Sequence, residues 1–134
     1  MKVAIELMEM SSDEGYKLSS GYRKAILAPA AEVAACADSQ TCLWEIKGRA
    51  IRKEELEDLQ VKDVRRGVCN YIFFTGTLDV PAGMVVVQKH FESICTDNQD
   101  YQNAEIVGAE SLGSYYEELA AKYAELAARC KEKK

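Results

Sequence analysis

His90 is the only histidine in the chain, and Glu92 follows it by two residues in MVVVQKHFESIC, a run with the composition of a strand. Residues two apart on a strand share a face, so the pair could hold a polar ligand or move a proton between imidazole and carboxylate. The preceding run, VCNYIFFTGTLDV, alternates in the same way and puts Tyr71, Thr75 and Thr77 on one side. Tyr71, Thr75, His90 and Glu92 therefore form the first candidate ligand-binding set. No catalytic residue is assigned. No nucleophile, metal set or phosphate loop accompanies them, G-x-G-x-x-G and G-x-x-x-x-G-K are both absent, and a lone histidine on a strand is more often structural than catalytic.

Arg65 and Arg66 are the best anion-binding candidates elsewhere, although two cations just before Gly67 also suit the end of a helix. A third group, Tyr16, Lys17, Tyr22 and Arg23, falls in and beside a serine- and glycine-rich stretch. A loop there could line a ligand site, with a solvated surface the plainer reading.

Whether the first set shares a face depends on how residues 68–95 pair. A hairpin is expected, because two β-forming runs flank Pro81, Ala82 and Gly83. A three-residue loop would set Phe74 opposite His90. A turn centred on Ala82 and Gly83 would set Phe74 opposite Phe91 and gather Thr75, Thr77, Gln88, His90 and Glu92 on the other side. The second register separates apolar from polar more cleanly and is preferred, since a slip of one residue exchanges the faces of a whole strand.

The remaining elements follow from period and punctuation. Val3, Ile5 and Leu7 alternate with Lys2, Ala4 and Glu6, which predicts a strand. The alanine-rich Ser20–Ala37 stretch carries Tyr22, Ile26, Ala30, Val33 and Ala37 at helical spacing, which predicts a helix kinked or restarted at Pro29. Cys42 to Ile51 alternates again and predicts a strand with Trp44 turned inward. Residues 51–67 place acids early, Arg65 and Arg66 late and glycine last, as a helix would, although a turn followed by extended Val61–Val64 fits too. Ala104–Ala109 predicts a short strand. Ser114 and Glu117 open a capping box before Tyr116, Leu119, Tyr123, Leu126 and Cys130, which predicts a helix over 114–131.

Composition sets the outer limits. The 134 residues suffice for one domain with its own core. A formal charge of −5, from 17 basic and 22 acidic side chains, argues against nucleic acid and anionic membranes as partners. No apolar run is long enough to span a bilayer, and the opening residues read as a strand rather than a leader, so a cytoplasmic location is expected. Cys36, Cys42, Cys69, Cys95 and Cys130 are odd in number and scattered, which reads as reduced thiols and not as a metal or cofactor set.

The expected architecture is a single α+β domain, a mainly antiparallel four- or five-stranded sheet with two long helices packed on one face. The expected function is that of a non-catalytic, homo-oligomeric binding protein for a small anionic ligand, self-associating through the 114–131 helix. A small enzyme using His90 as general acid or base, or a small subunit of a larger enzyme, is the alternative.

Overall fold

A computed structural model describes residues 1–12, 19–36, 39–67, 69–94 and 99–107. They form one antiparallel sheet of seven strands: β1 (Lys2–Ser12), β2 (Ser19–Pro29), β3 (Arg49–Ala50), β4 (Glu57–Arg66), β5 (Cys69–Asp79), β6 (Met84–Ile94) and β7 (Gln99–Val107). Two short helices, α1 (Ala30–Ala34) and α2 (Gln40–Glu45), and a 3-10 turn at Lys53–Glu55 complete the described elements. The expectation of two long helices packed on a four- or five-stranded sheet is thereby overturned. The first of them is mostly β2, and the 114–131 helix lies outside the described residues.

The strand order is β4-β5-β1-β2-β6-β7, with β3 beside β2. β5 and β6, expected to pair as a hairpin, lie two strands apart, so neither proposed register exists. Gly83, at φ +83°, turns the chain, and the Met84 N–H donates to the Pro81 carbonyl at 3.2 Å. The legs then diverge, β5 pairing with β1 and β4 while β6 pairs with β2 and β7. The connection is an arch over the two central strands.

β2 is a strand because both its faces are covered. Ala25, Ile26, Leu27 and Ala28 are all buried, and a strand buried on both sides shows no alternation. Ala25 and Leu27 join Val3, Ile5, Leu78, Val80, Val86 and Val107 in one core cluster, completed by Ile51 and Leu56. Ile26 and Ala28 belong to a second, where Val87 and Ala104 pack against Val33, Cys36, Leu43 and Ile46 of the α1–α2 segment. That segment is bridged by a Cys36–Cys42 disulfide, which corrects the reading of those two cysteines as reduced thiols. Cys69 is buried.

Residues 42–51, expected as a strand, are α2 followed by the two-residue β3. Ser39 caps α2 by accepting from the Cys42 N–H at 3.1 Å, and Trp44 is half-buried. Residues 57–66, read foremost as a helix, form the strand β4, as the extended alternative had it. It is an edge strand with an irregularity between Glu57 and Gln60, where Asp58 takes φ +54°. Gly67, at φ +60°, turns β4 back into β5 and ends no helix. Among the described residues, no helix is long and apolar enough to cross a membrane.

Candidate functional site

The central strands are joined over three residue pairs only: Met8–Arg23, Glu9–Tyr22 and Met10–Gly21. Beyond Met8 they part. β1 stays on β5, and the freed edge of β2 is taken by β3 through Ile26–Ala50 and Leu27–Arg49. The fork leaves the backbone of Glu6 without a strand on that side, and the Gln88 side chain fills the place. Its Oε1 accepts from the Glu6 N–H at 3.2 Å, and its Nε2 donates to the Glu6 carbonyl at 2.9 Å.

Cross-strand pairing fixes which side chains share a face. One row runs Val64–Tyr71–Met10–Gly21–Glu92, and the next runs Lys62–Phe73–Met8–Arg23–His90–Asn103. Glu6 pairs with Thr75 one step further. Tyr71, Thr75, His90 and Glu92 therefore stand on one face of one sheet, as the preferred register had them, but by way of β1 and β2 rather than a hairpin. Arg65 pairs with Asn70, which sets it on the opposite face, where it is exposed. The backbone of Arg66 pairs with Cys69, in step with the face of Tyr71.

This shared face is buried. Tyr71, Glu92, Glu6, Arg23 and Gln88 have almost no exposed surface, and His90 is 3% exposed, so the imidazole has no open route to a solvent-borne substrate. Arg23, read as loop surface, is among the most enclosed charges of the described residues. Its Nε lies 3.4 Å from Glu6 Oε1, and its Nη2 pairs with Glu105, which is about half exposed. Burial pushes the Glu6 carboxyl up to about 7. Arg23 opposes that shift and Glu105 adds to it. Sequence alternation had put Glu6 on a polar side of β1, and no local signal marks it as enclosed.

On the other face, the fork opens a cleft of about 340 Å³. Leu7, Tyr22, Ile51 and Phe74 give it apolar walls, and Met8 and Arg23, the last pair before the strands part, also line it. The Lys24 ammonium sits 4.4 Å from the centre of the Tyr22 ring and that of Lys53 sits 4.6 Å from the centre of Phe74. Glu9 and Glu54 also line the cleft. The tyrosine and arginine of the serine-rich stretch thus meet at a cavity, as a ligand site there would require; Tyr16 and Lys17 lie outside the described residues. Lys24, Lys53 and Phe74 carried no such signal, because β3 meets β2 and the 3-10 turn meets β5 only through the fold.

Among the described residues, no group of three or more His, Cys, Asp or Glu side chains could hold a metal ion. No protein-family model, no curated protein and no solved structure matches the chain.

Proposed function

We propose that this chain is a non-catalytic binding protein for a small amphipathic anion, held in the cleft between β1 and β2. The cleft is the observation that carries the reading. Its volume, about 340 Å³, falls within the ~300–1,000 Å³ usual for small-molecule sites, and its apolar walls with a few charged groups match their usual lining. Lys24 and Lys53 are the natural partners for the anionic group, since neither forms an ion pair with a carboxylate in the described residues. The rings of Tyr22 and Phe74 would receive the apolar body.

The burial of His90 favours this reading over one in which that residue is a general acid or base. The buried set Tyr71, His90 and Glu92, with Thr75 beside it, then supports the sheet behind the cleft. Self-association remains part of the proposal, through the 114–131 segment. So does a cytoplasmic location, in which the Cys36–Cys42 bridge would face a reducing pool.

The test is fluorescence titration with 8-anilinonaphthalene-1-sulfonate, an amphipathic anion. Saturable binding that is lost in Ala50→Phe, which fills the cleft, and weakened in Lys53→Glu is expected. Lys47→Glu, an exposed control outside the cleft, should leave it unchanged. Undiminished binding by Ala50→Phe would overturn the assignment. Native mass spectrometry of freshly purified protein reads subunit count and any retained ligand together, and a strictly monomeric, ligand-free species would count against the proposal.

A further inference from the structure

Arg23 belongs to two places at once. Arg23 is among the residues that line the cleft, and its guanidinium contacts the carboxylates of Glu6 and Glu105 on the opposite face of the sheet. Glu6 and Glu105 thus set two carboxylates against this guanidinium beside a cleft read as an anion site. Protonating Glu6 removes one of those negative charges.

We infer that anion binding in the β1–β2 cleft is linked to protonation of Glu6, so that the site holds its ligand more tightly in mildly acid than in mildly basic surroundings. The inference rests on the cleft being the ligand site, and it adds how that site is regulated. The geometry favours it for two reasons. Glu6 is fully buried, so its charge is weakly screened, and it lies 3.4 Å from Arg23, a residue that lines the cleft. Its backbone is also held on both sides, by Thr75 pairing and by the Gln88 amide, which fixes the point from which the carboxylate reaches Arg23.

The other charged or titratable groups sharing that face among the described residues are Lys62 on β4, Tyr71 on β5, Arg23 on β2, His90 and Glu92 on β6 and Glu105 on β7. Of these, His90 is the alternative proton acceptor. Glu6 Oε1 lies 3.4 Å from Arg23 Nε, and the pH range in which burial holds its proton, up to about 7, is the physiological one.

The experiment uses the same anilinonaphthalene sulfonate, whose own charge is constant between pH 5.5 and 8.5. Linkage through one proton permits at most about a tenfold change in affinity per pH unit. Binding about three- to tenfold tighter at pH 6 than at pH 8 is expected, together with a flat profile in Glu6→Gln. Calorimetry of the wild-type protein at pH 7, in two buffers of different ionisation enthalpy, should show fractional proton uptake on binding, which keeps the test valid if Glu6→Gln does not fold. A flat wild-type profile without proton uptake, with Ala50→Phe still abolishing binding, would overturn the linkage and leave the cleft standing. A slope that survives in Glu6→Gln but vanishes in His90→Gln would overturn the assignment to Glu6. Binding indifferent to Ala50→Phe would remove the cleft itself and the linkage with it.

Discussion

The side-chain amide of Gln88 makes to the backbone of Glu6 the pair of hydrogen bonds that a neighbouring strand would have made, at 3.2 and 2.9 Å. Gln40 does the same for Ala104, accepting from its N–H at 3.1 Å and donating to its carbonyl at 2.9 Å. One glutamine closes a fork inside the sheet, and the other ties α2 to β7. Their surroundings differ, since Gln88 is buried and Gln40 is exposed.

That difference sets the first prediction. Gln88→Leu strands a buried N–H and a buried carbonyl, each costing about 1–3 kcal/mol, so a loss of about 2–4 kcal/mol is expected. In Gln40→Leu the freed groups lie in a part-buried contact beside an exposed side chain, and a smaller loss, about 1 kcal/mol, is expected. Urea unfolding of both variants decides it. Equal losses would mean that the fork is not sealed from water.

Glu6 gives a stability profile of unusual sign for a carboxylate. Its folded value, about 7, lies above the 4.5 of an unperturbed glutamate, so between those values the native state holds a proton that the unfolded chain releases. The contribution is fully present below about pH 4.5, falls as pH rises through 7 and is lost above it. The span corresponds to about 3 kcal/mol. Unfolding free energies at pH 5 and pH 8 should therefore differ less in Glu6→Gln than in the parent, and an identical difference in both proteins would show that another group is responsible.

Gly48 lies where the chain crosses β2. A methyl group there would sit 2.3 Å from the Leu27 carbonyl oxygen, which is backbone and cannot turn aside. Gly48→Ala is expected to cost about 2 kcal/mol and, because β3 and Ile51 must shift, to weaken probe binding in the cleft severalfold. Unchanged thermal stability would refute this.

The Cys36–Cys42 bridge closes a short loop, with a sequence separation of 6. Chain entropy alone assigns such a loop about 2 kcal/mol. Adding a reductant should lower the melting temperature of the parent and leave a Cys36→Ala/Cys42→Ala variant unaffected. The loss should appear first over α1 and α2, read as faster amide exchange at Val33 and Leu43.

Parts of this architecture were legible in the residues and parts were not. The runs 2–9, 69–79 and 84–94 show β composition or alternation, and they are strands. Residues 20–29 are also a strand, yet alanine and isoleucine at helical spacing mimic a helix when both faces of a strand are buried. In β4 the order of charges imitates a helix dipole, because an edge strand with much of its surface in water needs few apolar residues. Period alone put Tyr71 with Thr75 and His90 with Glu92, but that the two pairs share a face comes by way of β1 and β2, a route that no hairpin register foretold. Their burial was not readable, since it depends on what packs above a face, and the cleft depends on a fork that no local pattern encodes.

The arch between β5 and β6 has a kinetic consequence. Lys2 pairs with Asp79 and Ser12 with Cys69, so the strand at the heart of the sheet finds one neighbour nearly 60 to nearly 80 residues downstream. Few of those pairings can form before the chain closes a long loop, and high contact order of this kind places folding in the millisecond-to-second range rather than microseconds. On the ribosome, β1 must wait with one edge open until β5 has emerged. Early exposure of Val3, Ile5 and Leu7 is thus the interval in which this sequence is most open to aggregation.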